Sequence, residues 1–211
     1  MVASQIHLVR HGEVHNPSRV LYGRIPGFGL SDRGRSMAQA AADDLARRKR
    51  PVSRVIASPL QRTQESAAPI ATAFELSIEN DARVIEPSNY FEGMRMSSAL
   101  RNPRNWYAVR NPRKPSWGEP YADIVTRMLE AITDAWENTE SGDVVLVSHQ
   151  LPIWMAHSSI LGIPLHHDPR KRRCSLSSIT TLEHTGKRFV EVGYAEPALL
   201  LTAGAVDVGA V

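Results

Sequence analysis

A single cysteine, Cys174, stands in the 211 residues, so no internal disulfide can form and a reducing compartment fits. No apolar run approaches the ~20 residues that a membrane-spanning helix needs. The amino-terminal stretch lacks the basic segment and apolar core of a secretory signal, because Arg10 and His11 interrupt it early. These absences set the expectation of a soluble, cytoplasmic protein with no membrane partner. CxxC, HExxH, a Walker-type Gly-Lys-Ser/Thr, GxGxxG and internal repeats are all missing. Glu13 with His15, and the pair His166-His167, supply no three- or four-ligand spacing, so no metal site is expected. Nor is one sign of charge in large excess, since the formal net charge is +3. A sequence pI of about 9.2 would permit nucleic-acid binding. The basic residues, however, are spread over Arg47 to Arg50, Arg101 to Lys114 and Arg170 to Arg173. Solvated faces and loops are the expected reading of these clusters, with a substrate clamp as the alternative for Arg170 to Arg173, and no nucleic-acid partner is expected.

What is present is the composition of an ordinary globular domain. Hydrophobic residues make up 42% and charged residues 22%, enough to build a sizeable core. The length suits one domain spanning 1–211, with an insertion or lid at about 88–120. Residues 4 to 10 form a first strand candidate that stops on Arg10-His11-Gly12-Glu13. A long loop follows, punctuated by Asn16-Pro17, Gly23, Pro26-Gly27 and Gly29, and Asn16 and Arg24 in it are candidate substrate or phosphate contacts. Ser31 is placed to cap a helix carrying Met37, Ala38, Ala41, Ala42 and Leu45 at helical spacing.

The same alternation then recurs. Val52 to Ala57 reads as a buried strand ending on Ser58-Pro59, and a helix from about Leu60 carries Arg62 in its first turn. Arg83-Val84-Ile85 reads as a short edge strand that ends on Glu86. Pro103, Pro112, Pro115 and Pro120 mark the insertion, together with Tyr90, Trp106, Tyr107 and Trp117. Its aromatic residues are expected to pack a small core of its own rather than to cover an apolar or ring-bearing leaving group, and Arg95, Arg101, Arg104 and Arg110 could instead meet a second anionic group. An amphipathic helix runs from Tyr121 to about Asn138. Val144 to Val147 has the β-branched continuity of a central parallel strand, and it ends on Ser148-His149-Gln150. Pro152 opens a helix that Gly162 closes, and a late strand or hairpin surrounds Gly186. The tail from Ala195 carries no usable signal.

Strands alternating with helices predict an α/β fold, a three-layer α/β/α sandwich with a mostly parallel central sheet. Ligands of such sheets bind beyond the carboxyl ends of the strands. Arg10-His11, Arg62, Glu86 and His149 would all lie there. Two arginines and two histidines converging on one point make a pocket for a phosphoryl group, and a carboxylate adds a proton donor. That set suits phosphoryl transfer through a histidine.

On these residues the chain resembles the histidine phosphatase superfamily, the group that includes phosphoglycerate mutases. Leu8-Val9-Arg10-His11-Gly12-Glu13 is similar to its defining motif. Ser58-Pro59-Leu60-Gln61-Arg62 with Glu65-Ser66-Ala67 is similar to its second-arginine helix, and Val147-Ser148-His149 to its second-histidine strand. Gly23-Arg24, Leu30-Ser31, Gly34 and Gly118-Glu119 match supporting positions. The resemblance implies that His11 becomes phosphorylated and that Arg10, Arg62 and His149 hold the phosphoryl oxygens. Glu86 is implied as the acid, with Glu92 as its rival. No cofactor or metal is implied, because arginine serves as the charge clamp. Asn16 falls one residue earlier than the asparagine of the mutases, and their Arg-His-Tyr-Gly stretch after the glutamate is absent.

A phosphomonoester hydrolase acting on a small phosphorylated metabolite is therefore the expected function. A phosphoglycerate mutase is the alternative enzyme. A non-catalytic phospho-ligand-binding or regulatory module is the alternative of another class. A homodimer is compatible with the sequence, which carries no signal for oligomeric state.

Overall fold

The computed structural model describes residues 2–111, 115–205 and 207; Pro112 and Lys114 of the insertion lie outside them. Six strands form one sheet in the order β3-β2-β4-β1-β5-β6. They are β1 (Ile6–Arg10), β2 (Val52–Ala57), β3 (Ile78–Asn80), β4 (Asp143–Ser148), β5 (Ile179–His184) and β6 (Phe189–Ala195). Strands β1 to β4 pair in parallel, and β5 and β6 add an antiparallel hairpin against β1. The α/β fold and mostly parallel sheet expected from the sequence are thus present.

The strands are apolar on both faces because each face meets a helical layer. Val9, Val55, Ala57, Val145, Val147 and Ile179 pack with Ala41, Ala42 and Leu45 of α1 (Asp32–Arg47) and with Ala67 and Ile70 of α2 (Gln61–Ala73). Their sequence neighbours Ile6, Leu8, Ile56, Val144 and Leu146 point the other way. They meet Ile124, Met128 and Ile132 of a long helix (Tyr121–Glu137) and Leu151 and Met155 of a later one (Gln150–Leu161). Successive side chains of a strand face opposite sides, so an unbroken apolar run feeds both layers.

Register then sets the site. Arg10 pairs with Ser148 and Ala57 with Val147, so β1, β2 and β4 end level with one another. The residues that follow, His11, Ser58 and His149, therefore emerge side by side.

Two expectations are corrected. The short edge strand is Ile78–Asn80, and Ala82–Val84 is a single 3-10 turn. Asp81 caps that turn by accepting from the Arg83 amide at 2.8 Å, and only Val84 of Arg83-Val84-Ile85 is buried. Glu86 thus follows a turn rather than a strand. That turn is tied to β4, where the Ser148 hydroxyl donates to the Val84 carbonyl at 2.7 Å.

Residues 88–120, the insertion, hold a short α-helix, Met96–Ala99, and a 3-10 turn, Pro103–Asn105. In chain order the helices after α2 are therefore α3 (Met96–Ala99), α4 (Tyr121–Glu137) and α5 (Gln150–Leu161). Phe91, Ala99 and Ala108 pack there with Leu21 and the partly buried Trp117. The second correction concerns its aromatics: Tyr90, Trp106 and Tyr107 are exposed rather than packed in that small core.

Candidate active site

The site begins with the way β1 ends. The His11 amide donates to the Ser148 carbonyl at 3.1 Å, and the Arg10 amide to the Ser178 carbonyl at 3.1 Å, so the chain is held on both sides. Beyond it the backbone passes hard against α1. A Cβ on Gly12 would lie 2.4 Å from the Gly34 carbonyl oxygen, and one on Gly34 would lie 2.0 Å from the Glu13 oxygen. Only glycine permits both approaches. Ser31 caps α1 by accepting from the Gly34 amide at 2.9 Å, and its hydroxyl donates to Glu13 Oε2 at 2.5 Å. The Gly12 amide donates to the Ser66 hydroxyl of α2 at 3.1 Å.

This frame decides the state of His11. Its Nδ1 lies 2.7 Å from the Gly12 carbonyl oxygen, which can only accept. Nδ1 therefore carries the hydrogen and Nε2 keeps its lone pair. Burial, then the Arg62 and Arg10 cations, hold the imidazole well below its ordinary pKa of 6.5. The ring is thus a neutral nucleophile with its reactive nitrogen uncovered.

Two buried arginines flank it. Arg62, in the first turn of α2, donates from Nη2 to the Gly23 carbonyl at 2.8 Å, and its guanidinium carbon stands 4.8 Å from the Tyr22 ring centroid. Arg10 gives Nη1 to the Cys174 carbonyl at 2.7 Å and both Nη atoms to Asp207 at 2.8 and 2.5 Å. In each arginine Nε is buried without a hydrogen-bond partner among the described residues.

His149 is the N-cap residue of α5. Its ring centroid lies 5.2 Å from that of His11. Nε2 lies 2.8 Å from the Ser58 hydroxyl, while Nδ1 is buried without a hydrogen-bond partner, 3.6 Å from Glu86 Oε2. Burial, followed by Arg62 and His11, keeps this imidazole well below 6.5 too. Glu86 is 6% exposed. Burial pushes its carboxyl up to about 7, against the pull of Arg62, Arg172 and Arg10.

The structure thus brings Arg10, His11, Arg62, Glu86 and His149 together. It places Asn16 and Arg24 differently. The Asn16 amide donates to the Val20 carbonyl at 2.8 Å and accepts from the Val20 amide at 3.2 Å, stapling its own loop. Arg24 donates from Nε to the Glu86 backbone carbonyl at 2.6 Å and lies 3.5 Å from Glu119. The Asn16 amide is thus engaged within its own loop, while Arg24 is engaged through Nε and Nη2. Glu92 accepts from the Asn89 amide at 3.1 Å within the insertion. Tyr22 and Asp207 carry no signal in the sequence. Arg172, in the basic cluster expected to form a solvated loop, is buried instead.

Residues 6–197 match the model of the histidine phosphatase superfamily, branch 1. The chain belongs to this superfamily. Among its relatives, the uncharacterized protein Rv0525 of Mycobacterium tuberculosis is 52% identical over 200 residues, covering 93% of this chain and 98% of that protein. A probable phosphoglycerate mutase, GpmB, of Yersinia enterocolitica is 32% identical over 184 residues, covering 83% and 84%. The solved mycobacterial glucosyl-3-phosphoglycerate phosphatase Rv2419c superposes with a TM-score of 0.71 at 22% identity, over 89% of this chain and 96% of that one. Histidine phosphatase membership therefore extends over both helical layers and the late hairpin.

Proposed function

We propose that this histidine phosphatase is a phosphomonoester hydrolase that works through phospho-His11. One observation carries the reading: Arg10 Nε, Arg62 Nε and His149 Nδ1 are buried without hydrogen-bond partners beside a histidine whose Nε2 is free to attack. A desolvated, unpaired donor costs roughly 1–3 kcal/mol. A phosphoryl group among these nitrogens would accept from both guanidinium groups, and from His149 in the tautomer whose Nε2 accepts from Ser58, and its transition-state charge would face two guanidinium ions.

In the first half-reaction His11 Nε2 attacks phosphorus and the ester P–O bond breaks. The leaving oxygen takes the proton held by Glu86, whose raised pKa keeps it protonated near neutrality. In the second, water attacks phospho-His11 and passes a proton to the Glu86 carboxylate. The N–P bond breaks, and inorganic phosphate and neutral His11 are regenerated. Asn16 and Arg24 serve this site by shaping the loop and by holding the Glu86 backbone. The substrate is a small phosphorylated metabolite.

Hydrolysis of p-nitrophenyl phosphate tests the reading. His11→Ala should lower kcat by at least ~10³-fold, and turnover equal to wild type would overturn it. The GpmB relative, named a probable phosphoglycerate mutase, motivates a second reading in which the phosphoryl group returns to a sugar acid. The residues after Glu86, Pro87-Ser88-Asn89-Tyr90, lack the mutase-type stretch and favour hydrolysis. Mutase turnover of 3-phosphoglycerate exceeding phosphate release would reverse that preference. A purely binding module would need neither the nucleophile nor the acid.

A further inference from the structure

Arg172 lies between α5 and β5 and is 8% exposed. Its Nε donates to His167 Nε2 at 2.7 Å, and its Nη1 to Gln150 Oε1 at 3.2 Å. The His167 tautomer is set by the other ring nitrogen, which lies 2.7 Å from the Leu165 carbonyl oxygen and so must donate. Both acceptors of Arg172 are therefore neutral. Its Nη2 is buried with no partner, and no carboxylate lies within ion-pair distance among the described residues. Other arginines of the molecule do not share this state: Arg50 pairs with Asp143, Arg54 with Glu79, Arg127 with Glu119 and Arg173 with Glu191. Arg62, the proposed phosphoryl clamp, does share it. A buried guanidinium with only neutral partners is costly unless an anion completes it.

Its surroundings say where that anion would come from. Arg172 and Arg10 line one cavity of about 340 Å³, together with Gln150, Cys174 and Asp207. That volume suits a small ligand. The chain already sets one carboxylate there, that of Asp207 on Arg10. The charge of Arg172 also opposes the rise that burial imposes on the Glu86 carboxyl. Arg172 thus shares a cavity with Arg10, the neighbour of His11, and donates to Gln150, the residue that follows His149.

We infer that Arg172 binds a second anionic group, a carboxylate or a phosphate, carried by the leaving group of the ester. This rests on the hydrolase reading above and deepens it, by favouring doubly anionic phosphate esters over singly anionic ones.

Two matched pairs of esters test it. In the first, 3-phosphoglycerate and glycerol 3-phosphate differ by a carboxylate against a hydroxymethyl group. In the second, fructose 1,6-bisphosphate and fructose 6-phosphate differ by one phosphate. Wild type should favour the doubly anionic member of at least one pair by about tenfold or more in kcat/KM, as a charged hydrogen bond commands. Arg172→Met should collapse that ratio, chiefly through KM, and Arg172→Lys should restore part of it. A wild type with no preference in either pair, or a ratio unchanged in Arg172→Met, overturns the inference. A role confined to Glu86 would shift the alkaline limb of the pH profile for both members alike and leave the ratio intact, which also overturns it. If wild type hydrolyses no ester at all, the hydrolase reading fails and the inference is judged by binding. The doubly anionic member should then raise the thermal midpoint more than its partner in wild type and not in Arg172→Met. An equal rise in both proteins counts against it.

Discussion

Two protons decide what His11 and Glu86 can do, and burial pushes them in opposite directions. Desolvation disfavours the charged form of each group, so it lowers the imidazole and raises the carboxyl. His11 is then unprotonated throughout the neutral range, and the acid limb of its activity lies well below pH 6.5. Glu86 donates only while protonated. Activity in kcat/KM, which reports the free enzyme, should therefore fall as pH rises through about 7. Glu86→Gln should abolish that alkaline limb. It should cost alkyl phosphates about 10²-fold or more, and p-nitrophenyl phosphate, whose leaving group needs little protonation, much less. Initial rates of both esters across pH 5 to 9 check this, and an alkaline limb that survives in Glu86→Gln would pass the role to Glu92. The identity of these residues was legible because each lies next to an element end. The burial of Arg172 was not, since a run of four basic residues reads as solvated until its partners are known.

Between β1 and α1 the decisive residues have no side chain. The approach of Gly34 to the Glu13 carbonyl oxygen, 2.0 Å from a built Cβ, involves backbone on both sides, so nothing flexible can yield. Gly34→Ala should lower stability by about 1–3 kcal/mol, the scale of overpacking. It should also reduce kcat by displacing the loop that orients His11. Denaturant unfolding and p-nitrophenyl phosphate turnover would show both losses together. Full activity in a stable Gly34→Ala variant would mean that this loop does not position the nucleophile. Helix spacing and the Ser31 cap could be read from the sequence, as could the continuous strands, because local periodicity encodes them. Arg83-Val84-Ile85 lies across a 3-10 turn although its three alternating residues satisfy a strand pattern equally well. Only the Asp81 cap and the pairing of β3 with β2 settle the matter.

Cys174 reports on the molecule as a whole. Its thiol is 1% exposed and burial pushes it up to about 11, so little reactive thiolate is available in the folded state. Its backbone carbonyl holds Arg10, which ties the thiol's environment to the site. Native protein should be inert to dithiobis(nitrobenzoate), while unfolded protein should release one equivalent of chromophore. Rapid labelling under native conditions would show that the Cys174 loop opens without global unfolding. At the amino ends of the same strands, buried Asp143 joins β4 to His7 of β1 at 3.2 Å and to Arg50 at 2.6 Å. That network is structural, at the end of the sheet opposite the site.

The layered α/β architecture, the order of most elements and the five residues around the proposed phosphoryl position can be read along the chain. These properties are written in local periodicity and in residues adjoining element ends. Which nitrogens are paired and which are left for a ligand follows from the folded chain alone. Arg10 meets Cys174 and Asp207 across 164 and 197 residues of chain, and no local pattern encodes such a contact. Pairing and desolvation set the charge state of His11, Glu86 and Arg172. They arise when distant segments close over the ends of the strands.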